Sequence, residues 1–259
     1  MTDQPASPPR FNATIYASDL IRAADYRTPL NPLSTDHPAV TVDEAYVIQV
    51  GSLAQHIHRN DPMSGAKVTV HQRRPVFGLY PRTAVMGSFE VADLSRLISP
   101  RAQAVMVFRL FKELSGTDTT PEDVRDATES VVAGIEVIDY RMTPTNALNH
   151  VDVVADNGHI AKILIGEHGV DVSHGIEPLN NLSVQLTMNG ELAAPPADAI
   201  TAPAAAVAAL ANHLGAQGGM LEDDWFVVVG PLSAPVSLGV GSRVELRINE
   251  MAPVILRAR

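Results

Sequence analysis

The strongest strand signal is the nearly continuous apolar run over residues 104–111. There Ala104, Met106, Phe108 and Leu110 fall on one side of an extended chain, and Gln103, Val105, Val107 and Arg109 on the other. Residues 134–140, 151–156, 160–165 and 182–188 also read as strands. The last is followed by Asn189-Gly190, a strong signal for a tight hairpin turn. Residues 225–229, 235–238 and 243–248 add further strands, and 67–70 is a shorter candidate after a turn at 60–65. Beyond Phe77-Gly78 the chain is rich in turns until Pro100.

Helical patterns are fewer. Thr41, with Glu44 three residues on, has capping-box spacing and predicts a helix to about His58. Thr120-Pro121-Glu122-Asp123 has an N-cap, a proline at the first helical position and acids in the first turn. Val124, Ala127, Val131 and Val132 continue that helix at core-facing spacing. Residues 203–214 predict an alanine-rich helix stopped by Gly215, and 18–27 a short one. A mobile tail is expected over 1–10, with a proline-punctuated connector at Pro29, Pro32 and Pro38. The pattern is α+β, many short strands rolled into a barrel-like core under a few helices. Residues 1–60 read as a tail and helical segment, and 61–259 as the β-rich core domain.

Composition narrows the function classes. The 259 residues are 46% apolar and carry a net charge of −10, with scattered basic residues apart from Arg73-Arg74. A nucleic-acid binder would show a positive stripe and interleaved aromatics, whereas aromatics make up 5% of this chain. Nucleic acid is therefore not an expected partner, while a small anionic substrate in a locally positive pocket is. No apolar run approaches the roughly 20 residues of a membrane-spanning helix, and no signal-peptide pattern is visible. With no cysteine, disulfides and thiolate chemistry are excluded, and a cytoplasmic location is expected.

Three segments carry a resemblance. Pro100-Arg101-x-x-Ala104-x-x-x-Phe108, Ile135-Glu136-Val137-Ile138-Asp139-Tyr140-Arg141 and Val154-Ala155-Asp156-Asn157 are similar to the fumarylacetoacetate hydrolase superfamily. The branch they most resemble is that of the 2-keto-4-pentenoate hydratases and 2-oxo-acid decarboxylases. The resemblance runs from about Thr41 to Ile248 and implies a mixed β-roll/barrel core with peripheral helices. In that branch the first strand carries Glu-x-Glu, and a third Glu on a later strand completes a site for Mg²⁺ or Mn²⁺. This chain has Gln103, Val105 and Glu136 at those positions, so neither metal nor another cofactor is expected.

The same resemblance places Lys67 at the family's substrate-binding or proton-transfer lysine. It also places Thr83, beside Arg82, where the relatives carry an acid, and it implies a shortened loop between Val70 and Pro75. Glu136, between Ile135 and Val137, requires either a charged partner or a shifted pKa. Arg109 lies within an apolar run, as a substrate anchor, a partner for Glu136 or an edge cation. His159, following Asp156-Asn157-Gly158, is an acid–base candidate or a solvated turn histidine.

The expected catalytic set is Lys67, Glu136 and His159, with Gln103, Arg82, Arg109 and Asp156 binding a small carboxylate. These residues suggest metal-free lyase, isomerase or cyclase chemistry on a 2-oxo or enol acid. The alternative is a non-catalytic binding or structural subunit. The relatives imply a homo-oligomer, or assembly with an intact paralogue.

Overall fold

The computed structural model describes residues 11–87, 90–172, 179, 182–197, 200, 202–249 and 251–259. The tail expected at 1–10 lies outside them. Helix α1 (Ala13–Tyr26) starts upstream of the expected 18–27 because the Asn12 side chain accepts hydrogen bonds from the Thr14 and Ile15 amides. After a single turn, α2 (Leu33–Asp36), helix α3 (Val42–His58) opens at Thr41 with the anticipated capping box closed by Glu44. Strand β1 (Met63–His71) then reverses through Gln72 and Arg73, both at positive φ, into β2 (Arg74–Pro81). A short β3 (Val85–Met86) follows in the turn-rich stretch.

Strand β4 (Pro100–Leu110) leads through β5 (Leu114–Ser115) to α4 (Pro121–Ala127), capped by Thr120 and Asp123 as expected. The helix does not continue to Val132. From Thr128 the chain is extended as β6 (Thr128–Asp139), paired with β4 from Leu110↔Thr128 to Pro100↔Asp139. Burial on both faces makes Val131 and Val132 core residues of a strand, so their helical spacing is coincidental.

The strand expected over 151–156 is instead helix α5 (His150–Ala155). Asn149 and Asp152 form a capping box there, and the Asp152 carboxylate also accepts bonds from the Ser34 amide and hydroxyl, at 2.8 and 2.6 Å. This cap overrides the strand preference of three valines.

Strand β7 (Ile160–Ile165) precedes β8 (Val184–Met188), and Asn189-Gly190, both left-handed, turn the chain into β9 (Glu191–Ala194). Helix α6 (Pro203–Gly215) includes Gly215, but not as a left-handed stop. A Cβ there would lie 1.8 Å from the Gly116 carbonyl oxygen, so close approach excludes a side chain. The chain finishes with β10 (Met220–Leu221), β11 (Phe226–Val229), β12 (Val236–Ser237), β13 (Arg243–Ile248) and β14 (Val254–Arg257).

The main sheet runs β2-β1-β11-β4-β6-β7-β3, with β12 also pairing β4. The β1–β11 and β3–β7 pairs are parallel, and its other pairs antiparallel. A second sheet, β14-β13-β8-β9, and helix α6 cover the face bearing Ala104, Met106 and Phe108, which forms the largest core. The opposite face bears Val105, Val107, Tyr80, Ile163 and Phe226. Helices α1, α3 and α5 form a third cluster around Tyr16, Ile48 and Val154. The result is a curled mixed sheet with peripheral helices. Among the described residues, no helix is long and apolar enough to cross a membrane.

Candidate active site

Gln103 and Glu136 are direct cross-strand partners on β4 and β6, so their side chains leave the same face. Lys67 lies on β1, separated from β6 by β11 and β4. On a flat sheet three strand spacings amount to about 14 Å. The sheet curls enough for the Lys67 ammonium to reach Glu136 Oε1 at 2.7 Å. The ammonium also donates to the Gly158 carbonyl at 2.8 Å.

The Tyr80 hydroxyl donates to Glu136 Oε1 at 2.5 Å, and the Gln103 amide to Oε2 at 2.7 Å. Lys67, Tyr80 and Glu136 are at most 1% exposed and Gln103 4%. Burial, and then the adjacent Glu136 charge, push the Tyr80 phenol well above its ordinary pKa, so it remains a neutral donor. Lys67 is thus not the exposed turn lysine that is the commoner fate of this residue type, and Glu136 has its charged partner in Lys67 rather than Arg109.

Gly158 sits in a segment with three successive left-handed residues: Asn157 at φ 51°, Gly158 at 63° and His159 at 61°. For the non-glycine members this conformation is costly, and polar contacts hold it. Asn157 exchanges two hydrogen bonds with the Leu79 backbone, at 3.0 and 2.9 Å. Asp156 forms an ion pair with Arg141, and its second oxygen meets His159 Nδ1 at 2.6 Å. The His159 ring lies 4.7 Å from that of Tyr140 and is 5% exposed, which corrects the solvated-histidine alternative. Asp156 and His159 therefore shape the turn that delivers the Gly158 carbonyl to Lys67.

The two arginines stand apart. Arg82 is exposed on a short 3-10 turn. Arg109 is six residues along β4 from Gln103, about 20 Å in an extended strand. Its guanidinium donates to the carbonyls of Gly166 and Glu167, at 2.7 and 3.2 Å. Pairing with Glu136 is excluded by that separation. Thr83 receives a carboxylate from elsewhere, Asp61, bonded to its amide at 2.9 Å and its hydroxyl at 2.7 Å. Burial raises the Asp61 pKa, but the Thr83 and His56 hydrogen bonds outweigh it and leave the pKa below the ordinary 3.8.

The residue that sequence reasoning missed is Tyr80. It lies two residues beyond Gly78, the observed partner of Lys67, and so shares the lysine's face, a relation that only the strand register reveals. Val105, at the second family metal position, packs with Val107, Ile163 and Val228. Among the described residues no three His, Cys, Asp or Glu side chains converge as a metal-binding group.

No family model matches the chain. Among curated proteins it is 30% identical over 235 residues to a 2-hydroxyhexa-2,4-dienoate hydratase of Comamonas testosteroni, spanning 86% of this chain and 88% of that protein. It is 28% identical over 249 residues to a 2-keto-4-pentenoate hydratase of Paraburkholderia xenovorans (strain LB400), spanning 92% and 91%. Its fold matches 4-oxalocrotonate decarboxylase from Pseudomonas putida G7, solved with magnesium and adipate, at a TM-score of 0.87 and 24% identity, covering 98% and 99% of the two chains. Fumarylpyruvate hydrolase from Pseudomonas aeruginosa matches at 0.57 and 17% identity, covering 76% of this chain and 90% of that one.

Proposed function

Because the chain belongs to the fumarylacetoacetate hydrolase superfamily, in the branch of 2-keto-4-pentenoate hydratases and 4-oxalocrotonate decarboxylases, we propose that it is a hydratase-like enzyme acting on a small 2-oxo or enol acid without a divalent metal. The supporting observation is the Lys67–Glu136 pair, in which a side-chain ammonium stands at 2.7 Å from the one acid retained from the family's metal site. A hard divalent cation needs several oxygen ligands. Val105 offers none, Gln103 turns its amide nitrogen to Glu136, and both Glu136 oxygens already accept hydrogen bonds. The donors present do not fit the ion.

The Lys67 ammonium and Tyr80 hydroxyl are donors suited to a developing enolate oxygen. Glu136, oriented by Gln103, is the proton carrier. His159 stands behind them, its Nδ1 engaged by Asp156. Substrate entry requires a movement that exposes this buried cluster. The expected setting is a cytoplasmic homo-oligomer, alone or with an intact paralogue.

The complete burial of the pair also favours a second reading, a non-catalytic binding or structural subunit. A single assay separates the two. The purified chain, treated with a chelator, is mixed with 2-hydroxypenta-2,4-dienoate and the dienol absorbance is followed. Turnover that persists without metal and is lost in a Glu136→Gln variant shown by circular dichroism to be folded supports the enzyme. Turnover only with added Mg²⁺ or Mn²⁺ overturns the metal-free mechanism, and no consumption of dienol or 2-oxo acids supports the subunit.

A further inference from the structure

A cavity of about 620 Å³ lies between α3, the tip of the β1–β2 hairpin and α6. It is on the opposite face of the hairpin from Lys67, because the Val68–Phe77 pair points away from the Lys67–Gly78 pair. One wall is a cluster of three tilted rings, with the His213 ring 4.7 Å from both Tyr46 and Phe77. His213 meets the Gln217 amide at 2.9 Å, and burial lowers its pKa, so the ring is neutral at pH 7. Val47 and Val50 of α3 line the opening at 57% and 55% exposure.

The polar groups are few and converge. Arg73 and Arg74 are exposed at the hairpin tip, and neither makes an ion pair with a described residue. His150 is only 6% exposed, lines the cavity, and has a buried Nδ1 without a hydrogen-bond partner. Such orphaned groups are rare because they forfeit a hydrogen bond to water. Asp43 supplies the one carboxylate of the lining. Two arginines against one acid leave a single positive charge.

We infer that this cavity binds a small monocarboxylic acid with a flat aromatic or conjugated body. The carboxylate lies between Arg73 and Arg74 beside His150, and the body lies along the Tyr46–His213–Phe77 wall. The volume falls within the usual range for small-molecule sites, and arginine forks suit a carboxylate. Asp43 disfavours a second carboxylate. The site uses neither Lys67 nor Glu136, so it stands apart from the chemistry proposed above.

The test is calorimetric titration of the full chain with cinnamate and with its neutral amide, together with amide-resolved NMR to locate binding. The expectation is one cinnamate per chain, bound at least about tenfold more tightly than cinnamamide, with shifts at Tyr46 and His213. The double variant Arg73→Ala/Arg74→Ala should weaken cinnamate about tenfold, and Val50→Trp, which fills the opening, should also weaken it. No binding, equal affinity for the amide, affinity unchanged in both variants, or shifts centred on Lys67 and Glu136 would each overturn the assignment.

Discussion

Taking an ammonium and a carboxylate out of water costs several kcal/mol per ion before their attraction is counted. Lys67 and Glu136 offset that cost with each other and with Gly158, Tyr80 and Gln103. Removing one charge strands the other. Lys67→Met and Glu136→Gln should therefore each lower stability by about 3–5 kcal/mol. The double variant should lose much less than their sum, and urea unfolding of the four proteins checks this; additive losses would mean the pair is not coupled. Gln103 and Glu136 were legible because the family resemblance put both at its metal positions. Tyr80 was not, because its partner Glu136 lies 56 residues away and only the curl of the sheet brings them together.

Elements were readable where the local signal was chemically specific. Thr41, Thr120 and Asn189-Gly190 each fixed an element end because a side chain or a left-handed turn satisfies the backbone there. Residues 151–156 read as a strand from their three valines, whereas the Asn149–Asp152 capping box makes them a helix. Asn149→Ala should lower stability by about 1 kcal/mol, measured by thermal or urea unfolding. Gly215 gave the right helix end for the wrong reason. Gly215→Ala must push the Gly116 backbone aside and should cost about 3 kcal/mol. Gly219→Ala meets only ordinary contacts at 3.5 Å or more and should stay within about 0.5 kcal/mol of the parent. Equal effects of the two would refute the close-approach account.

Across the whole molecule, His71, His150 and His213 resist protonation, each chiefly through burial, with pKa values below the ordinary 6.5. Unfolded, these imidazoles take up protons from about pH 6.5 downward while the native state does not. The unfolded state then binds more protons, so stability rises with pH in this window and is lost on acidification. Below the ordinary carboxylate value of 3.8, Asp61 adds a loss of the same sign, since its native pKa is depressed. Unfolding midpoints measured from pH 8 to 4 should be level near pH 8 and fall from about 6.5; a flat profile through pH 5 would contradict it.

The parallel pairing of β1 with β11, Gly65↔Phe226 to Val68↔Val229, has a consequence for synthesis. The strand beside Lys67 leaves the ribosome some 160 residues after it. A nascent chain arrested before Phe226 holds an ammonium-bearing strand with one edge unpaired, a state that invites chaperones and aggregation. The main sheet can close only after Phe226–Val229 arrive, so β1 cannot complete its pairing as it is made.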